Sequence, residues 1–334
     1  MEEGWERREP ALMLDQAAII ELLRPAFPHT DVETAELLGG GLVNTNYRVT
    51  LAGRAEPVVL RVYTRDHDAC AKEANILNLV RTSVPVPEVL HVESESIRGG
   101  NPYLVLSWID GVKPHQVLRA AAPADVDGIG YACGITLWAI ARYTFPAAGF
   151  LGPDLRVVQP FNSIRAAVQG YIQERLAEGR VRERLGPDLA ERLGRLVADN
   201  AARLDELEGS TSLVHSDYKA VNLLLGNTDH GWAMAGVLDW EFAHAGTPLI
   251  DLGILLRESA RMPTEFERGV VRGFRDAGGA LPRDWKRISK LVDLVNLCGF
   301  LGAVEERGAM VGDVAAVVRA TVEHWDAFAP DKSI

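Results

Sequence analysis

The hydrophobic positions of the first part of the chain, up to about residue 108, follow mainly the alternating pattern of β-strands. Two extended segments, separated by glycines and asparagines within residues 37–49, predict a β-hairpin. The β-branched run 58–63 predicts a further strand, and two more are predicted over 89–93 and 103–108. This part of the chain therefore predicts a sheet of five strands.

Helical spacing of apolar residues accompanies these strands and then dominates the rest of the chain. It predicts a main helix over 67–82, which ends before Pro85, and a short helix over 16–25. Short apolar runs within 213–240 interrupt the later helical pattern. The helices predicted in that later part span 124–143, 161–178, 187–207, 264–277, 285–303 and 312–328.

The change of pattern near residue 109 divides the chain. A length of 334 residues suits two domains or one large bilobal domain. We therefore predict an α+β fold with a small five-stranded lobe over 1–108, which carries one main helix, and a larger, mostly helical lobe over 109–334. The two lobes would join through a hinge at about 105–111.

The composition is that of a soluble globular protein, 47% hydrophobic and 24% charged. The net charge of −11 and the lack of a Lys/Arg block predict no nucleic-acid partner, and the acidic balance weakly favours a cationic substrate. The three widely spaced cysteines favour a reducing compartment. Because no apolar run is long enough for a membrane span and the first residues lack a signal-peptide core, we expect a cytoplasmic protein without a membrane partner.

One polar loop has the spacing that phosphoryl transfer requires. Residues 214–223 contain the pattern H-x-D-x-x-x-x-N, formed by His215, Asp217 and Asn222, and Asp239 ends the apolar run that follows. Phosphoryl transfer needs a carboxylate to accept the hydroxyl proton and oxygen ligands to hold Mg²⁺ against the phosphates. Asp217 suits the first role, whereas Asn222 and Asp239 suit the second.

This loop and the segment around Asp239 resemble the aminoglycoside phosphotransferase / choline kinase superfamily, whose members are relatives of protein kinases. The resemblance covers about residues 37–254 and implies an ATP- and Mg²⁺-dependent small-molecule kinase with a bilobal protein-kinase-like fold. It implies that Asp217 is the catalytic base and that Asn222 and Asp239 are the metal ligands. His215, and Asp251 in the pattern G-x-P-x-x-D-L, match residues that support the loop.

The resemblance also implies where the nucleotide binds. Gly40, Gly41 and Asn44 match a nucleotide-covering hairpin loop, in which glycines let the backbone approach phosphates closely. The backbone of Ser107–Ile109 matches the hinge that bonds the adenine edge. The chain has no G-K-[ST] sequence, so a P-loop ATPase is disfavoured.

Arg61 matches the strand cation that grips the nucleotide phosphates in such enzymes. Alternation along the strand places it on the same face as Tyr63 and opposite to its apolar neighbours, so the cation needs a partner. Glu73 on the following helix is the predicted partner, with Asp66 and Asp68 as rivals.

Two residues near the motifs allow more than one interpretation. Lys219 either offsets charge on the transferred phosphoryl group or is a solvent-facing lysine. Glu241 follows Asp239 by two positions and either assists the metal or a substrate amine, or has a structural role. Trp240 is expected to pack.

The acceptor is predicted less sharply than the donor. A cationic amino sugar would favour carboxylates, and a quaternary amine would favour an aromatic cage. The candidates in the later helices are Trp285, Glu305, Glu306, Asp313, Glu323 and Trp325.

The predicted function is an ATP-dependent phosphotransferase, with GTP as a possible donor, which acts on a hydroxyl group of a small and cationic molecule. An aminoglycoside-type antibiotic is the first candidate acceptor. The alternatives are a metabolic kinase for choline, homoserine or a related amino alcohol, and a catalytically inactive nucleotide-binding regulator. The intact set Asp217, Asn222 and Asp239 argues against the regulator. The sequence does not specify the oligomeric state.

Overall fold

The computed structural model describes residues 5, 10–39, 43–95, 100–304 and 307–330. Gly40 and Gly41 of the predicted nucleotide-covering loop lie outside these residues, as do Glu305 and Glu306.

The predicted five-stranded sheet is present. It is antiparallel throughout, in the order β1-β2-β3-β5-β4. Its strands are β1 (Val32–Leu37), β2 (Thr45–Leu51), β3 (Val58–Val62), β4 (Val89–Glu93) and β5 (Tyr103–Ser107).

Each face of this sheet is covered by a helix. Helix α1 (Gln16–Leu23) packs its buried Ile19 against one face, and α2 (Asp68–Val80) covers the other. Alternation along β3 puts Leu60 on the α1 face and Arg61 on the α2 face. The strand pattern therefore delivers a buried cation to the side of the sheet that faces the second lobe.

The second lobe is mostly helical, as predicted. Helices α3, α6 and α8 are additions to the prediction, and 187–207 divides into a helix and a 3₁₀ segment, Ala201–Leu207. The helices are α3 (Pro114–Leu118), α4 (Pro123–Ala141), α5 (Ile164–Ala177), α6 (Gly179–Leu185), α7 (Pro187–Asn200), α8 (Leu249–Leu255), α9 (Thr264–Asp276), α10 (Trp285–Gly302) and α11 (Gly308–Glu323).

Helices α4 and α9 pack unusually closely and form the floor beneath the motif loop. A Cβ at Gly134 would lie 2.1 Å from the carbonyl oxygen of Val270, and one at Gly273 would lie 2.2 Å from that of Tyr131. Only glycine permits this approach of the two backbones. The Tyr218 hydroxyl donates to the Cys133 carbonyl on α4 at 2.9 Å, which anchors the motif loop to this floor.

Short strands hold both ends of the motif loop, where the sequence predicted only apolar runs. They form a four-stranded sheet in the order β7-β6-β11-β8 and a separate hairpin of β9 and β10. The strands are β6 (Gly149–Leu151), β7 (Val157–Pro160), β8 (Ser212–Val214), β9 (Leu223–Thr228), β10 (Gly231–Val237) and β11 (His244–Gly246). Because β8 ends where the loop begins and β9 begins where it ends, the loop is held at both ends.

The two-lobe α+β architecture agrees with the sequence prediction, while the exact boundary between 108 and 109 stays a prediction. Within the described ranges, no helix has the length and apolar character that crossing a membrane requires.

Candidate active site

Asp251 holds the start of the motif loop. Its Oδ2 accepts the backbone N–H of His215, and its Oδ1 accepts that of Ser216, each at 2.7 Å. Ser216 adopts the left-handed region with φ of 66°, which few residues other than glycine do without support. Burial raises the pKa of Asp251 to about 7, although the two N–H bonds act to lower it. This buried carboxyl group therefore positions the loop.

His215 ties the motif loop to the segment that carries Asp239. Its Nε2 lies 3.0 Å from the carbonyl oxygen of Leu238, and its Nδ1 accepts from the backbone N–H of Asp217 at 3.2 Å. Because a carbonyl oxygen only accepts, the proton sits on Nε2. Burial lowers the pKa of His215 to about 4, so the ring is neutral near neutral pH. Its ring packs on Trp240 with centroids 4.5 Å apart, consistent with a structural role.

The Asp217 carboxylate is held from both sides. Lys219 Nζ lies 2.7 Å from its Oδ1, and Asn222 Nδ2 donates to its Oδ2 at 2.7 Å. The Lys219 side chain is only 17% exposed, so the interpretation as a solvent-facing lysine is wrong. Since Asn222 donates through its amide nitrogen, its Oδ1 is the atom that suits a metal ion.

Arg61 connects the two lobes through two carboxylates. Its Nε lies 3.0 Å from Glu73 Oε2, and its Nη2 donates to Asp239 Oδ1 at 2.5 Å. The predicted partner of Arg61 is thus Glu73, whereas the rivals Asp66 and Asp68 are exposed. Burial acts to raise the pKa of Asp239, but Arg61 outweighs it and holds that pKa below its usual value.

Two further groups complete this buried cluster. The Tyr63 hydroxyl donates to Glu73 Oε2 at 2.5 Å, and the backbone N–H of Trp240 donates to Glu73 Oε1 at 3.2 Å. Glu73 therefore accepts hydrogen bonds on both oxygens in addition to its ion pair. Tyr63 was expected on this face of the strand, but its bond to Glu73 was not predicted.

Asn44 and Glu241 form a second contact between the lobes. Asn44 Nδ2 donates to Glu241 Oε2 at 2.9 Å, and both side chains are buried. Burial, and next the charge of Asp239, raise the pKa of Glu241 to about 7. The structure thus joins the Asn44 side chain to the segment after Asp239, and its role toward a nucleotide stays a prediction.

Two cavities meet at these residues. The smaller, of about 400 Å³, lies between the five-stranded sheet and the second lobe, and the larger, of about 580 Å³, lies within reach of Asp217. Arg61, Asn222 and Asp239 line both. The predicted metal ligands therefore stand at the junction, where the last phosphate of a nucleotide in one cavity would face a molecule in the other.

The smaller cavity has the features of a nucleotide-base pocket. Val59, Leu77 and Leu106 form its apolar walls, and the segment Ser107–Ile109 lies along one edge. The backbone N–H of Ser107 donates to the carbonyl of Glu88 at 2.9 Å. The Ser107 backbone could therefore bond a base only through its carbonyl oxygen, which would accept a hydrogen bond from the base.

The larger cavity is not where the sequence placed the acceptor contacts. Of the candidates that the structure describes, Trp285 is in the core, Asp313 accepts from Trp5 Nε1 at 2.9 Å, and Glu323 lies 3.9 Å from Arg319. Trp325 packs on Phe328 instead. None of these four residues lines the larger cavity, and a contact of any of them with an acceptor stays a prediction.

The donor set at the junction fits Mg²⁺ rather than a metal bound by protein alone. No group of three or more His, Cys, Asp or Glu side chains within the described part of the chain could hold a metal ion. One amide and one carboxylate oxygen match the habit of Mg²⁺, which fills the rest of its shell with phosphate oxygens and water.

Comparisons with known proteins agree with this geometry. The sequence profile of the phosphotransferase enzyme family matches residues 34–291. No curated protein sequence matches the chain.

Solved structures share the fold at low identity. The aminoglycoside phosphotransferase APH(4)-Ia, in ternary complex with ADP and hygromycin B, is 19% identical with a TM-score of 0.63, and the match covers 90% of this chain and 98% of that one. The GDP complex of an aminoglycoside 2'-phosphotransferase is 15% identical with a TM-score of 0.72 over 94% and 100% of the chains. The macrolide 2'-phosphotransferase MphH from Brachybacterium faecium is 17% identical with a TM-score of 0.61 over 91% and 97%.

Proposed function

This chain belongs to the phosphotransferase enzyme family, and we propose that it transfers the γ-phosphoryl group of ATP to a hydroxyl group of a small molecule with Mg²⁺ as cofactor. The membership confirms the resemblance that the motifs indicated, and the shared fold is kinase-like. The observation that carries the proposal is the convergence of Asp217, Asn222 and Asp239 where the two cavities meet.

Asp217 acts as the base in this proposal. It lines the larger cavity, so an acceptor hydroxyl there can bond its carboxylate and lose its proton to it as the oxygen attacks phosphorus. Lys219, at 2.7 Å from Asp217, is placed to offset charge that develops on the transferred phosphoryl group.

The nucleotide would lie in the smaller cavity with its phosphates toward Arg61. Arg61 offers a planar fork for phosphate oxygens, while Glu73 keeps it in place from the opposite side. Asn222 Oδ1 and Asp239 would hold Mg²⁺, which when bound neutralises charge on the phosphates. Five further residues are proposed to contact the nucleotide. Gly40, Gly41 and Asn44 would contact its phosphates, and the backbone of Ser107 and Ile109 would contact its base.

The phosphoryl donor and the acceptor are each proposed with one alternative. ATP is the proposed donor, and GTP is the alternative because a relative of the same fold was solved with GDP. An aminoglycoside is the acceptor that the family resemblance suggests first, and one relative was solved with hygromycin B. A metabolic kinase for an amino alcohol is the second candidate.

The test separates binding from transfer. Asp217→Ala should abolish ATP-dependent product formation and leave nucleotide affinity nearly intact, whereas Asp239→Asn should remove the Mg²⁺ dependence of nucleotide affinity. Turnover measured with aminoglycosides, macrolides, choline and homoserine would identify the acceptor. Unchanged turnover in Asp217→Ala would overturn the base assignment, and nucleotide binding without turnover for any acceptor would favour an inactive regulator.

A further inference from the structure

Much of the wall of the larger cavity is apolar. Side chains spaced by three or four residues along α5 and α10 line the cavity, and so do aromatic rings from neighbouring segments. Six of these lining residues are Phe150, Phe161, Ile164, Val168, Val295 and Phe300. A volume of about 580 Å³ is in the range of pockets that enclose a whole small molecule.

The carboxylates of this cavity are already engaged and stand at one end. Among the described lining residues they are Asp217, Asp239 and Glu241, which contact Lys219, Arg61 and Asn44 respectively. The other charged groups that line the described part of the cavity are cations.

A polycationic acceptor would fit such walls poorly. Its ammonium groups would leave water to face hydrocarbon, and a buried charge without a partner costs several kcal/mol. Arg257 lines the same cavity and is paired with Asp293, with Nη2 to Oδ1 at 2.6 Å, so that carboxylate is already neutralised as well.

Phe150, Phe161 and His244 pack on one another and do not form a cage for a quaternary amine. The centroids of Phe150 and Phe161 lie 5.1 Å apart in an edge-to-face contact, and His244 lies 6.0 and 6.2 Å from them. A cage encloses its cation between rings, whereas these rings pack on one another as one continuous wall. Burial lowers the pKa of His244 to about 4, so its ring is neutral as well.

Three uncharged polar side chains also line the cavity. They are Tyr171 on α5, Asn296 on α10 and Thr247. Such groups suit hydroxyl, ether or carbonyl oxygens better than ammonium groups.

We propose that the acceptor is a ring-containing and largely apolar alcohol without cationic groups, and so neither a polyamine nor a quaternary amine. This inference rests on the proposed function, since it names the molecule whose hydroxyl would reach Asp217. It departs from the cationic acceptor that the sequence predicted and takes the place of the aminoglycoside and the amino alcohol named above as candidates.

The test uses the full chain and the neutral fluorescent probe N-phenyl-1-naphthylamine, whose emission rises in an apolar site. We expect saturable binding of one probe per chain, which kanamycin and choline at millimolar concentration do not displace. Absence of saturable binding, or displacement by kanamycin or choline at micromolar concentration, would overturn the inference.

A pair of variants locates the probe. Val295 is half-buried on α10 and lines the cavity. Val295→Asp should weaken probe binding at least about tenfold, because it places a charge on the wall, while the isosteric Val295→Thr should change it by less than about threefold. Equal probe affinity in both variants would contradict the assignment to this cavity.

Nucleotide affinity serves as the independent control. Val295 does not line the smaller cavity, so ATP should bind the wild type and both variants equally. Loss of ATP binding in the wild type would count against the proposed function, whereas intact ATP binding without probe binding would count against the apolar acceptor alone.

Discussion

Arg61 donates from Nη2 to Asp239 Oδ1 at 2.5 Å, so the cation proposed to grip the nucleotide phosphates bonds the carboxylate proposed to hold the metal. The two residues are 178 positions apart and come from different lobes. Because Arg61 also pairs with Glu73, one buried cation compensates two carboxylates. The charged groups of the site thus compensate one another without a ligand. A bound nucleotide with its metal ion would bring further charges to the same residues.

Arg61→Met should destabilise the protein. The change leaves Glu73, which is 2% exposed, without its cation, and breaking a buried pair from one side costs about 3–5 kcal/mol. The double variant Arg61→Met with Glu73→Gln should recover part of this loss, because residue 73 no longer carries a charge, while Asp239 still lacks the Arg61 cation. Chemical denaturation of both variants measures the free energy of unfolding. Equal stability of the single and double variants would contradict the idea that Glu73 depends on Arg61.

Lys219→Met should lower turnover and leave nucleotide binding almost unchanged. The side chain lies 2.7 Å from Asp217 and away from the base pocket, so its loss removes charge stabilisation in the transition state, worth about 10²–10³-fold in kcat. Steady-state kinetics with the identified acceptor, together with a nucleotide titration, would measure both effects. Lys219→Arg is the matched control because it retains the charge, and it should keep more activity than Lys219→Met. If both variants turned over at the wild-type rate, Lys219 would have no part in transfer.

The pairing of Arg61 with Glu73 was predictable from sequence in part, since Asp66 and Asp68 stayed rivals until the structure showed them exposed. Alternation along a strand assigns Arg61 to one face, and helical spacing on the next element places a carboxylate opposite it. The motif loop was predictable for a related reason, since Asp217 and Asn222 are only five residues apart and a tight loop can bring them together.

The contacts between distant segments were not predictable in this way. The bond of Asn44 to Glu241 spans 197 positions, and no periodic pattern relates them. Strands of three residues, such as β8 and β11, are too short for alternation to identify, and their pairing of Val214 with His244 is set by the surrounding packing.

The cavity walls escaped prediction for a further physical reason. The stripe that includes Ile164 and Val168 has the same spacing as a stripe that packs into a core. Hydrophobic periodicity shows that a helix face is apolar, but it does not show whether protein or a ligand covers that face. The carboxylates proposed from sequence as acceptor contacts were therefore selected by residue type alone, because the sequence does not show which of them line a cavity.

Asp251→Asn should loosen the motif loop without touching the nucleotide pocket. One Asp251 oxygen accepts the backbone N–H of His215 and the other accepts that of Ser216. In asparagine, an amide NH₂ group replaces one of these oxygens and would face a backbone N–H, so that two donors meet. We expect a loss of about 1–3 kcal/mol in the free energy of unfolding. We expect a fall in kcat with nucleotide affinity unchanged.

The control for this variant is Asp127→Asn, which removes a carboxylate on α4 that pairs with Arg268 and Arg272 of α9 and lines neither cavity. It should leave kcat unchanged. A fall in kcat as large as that of Asp251→Asn would show that the loss of any carboxylate in this lobe impairs turnover. That result would contradict the positioning role of Asp251.

Glu241→Gln should change how stability depends on pH. Burial raises the pKa of Glu241 from 4.5 to about 7, so the folded protein holds this proton more tightly than the unfolded chain does. The resulting contribution to stability is fully present below pH 4.5 and is lost as the pH rises through about 7. The glutamine stays neutral and still accepts from Asn44, so the variant does not incur that loss.

The measurement compares the free energy of unfolding of the wild type and Glu241→Gln at pH 5 and pH 8. The difference should move in favour of the variant by about 2–3 kcal/mol over this range. Asp251, whose pKa is also raised to about 7, is present in both proteins, so its contribution cancels in the comparison. A difference that stays constant between the two pH values would mean that Glu241 is already ionised at pH 5, and the bond from Asn44 would then be one to a carboxylate throughout.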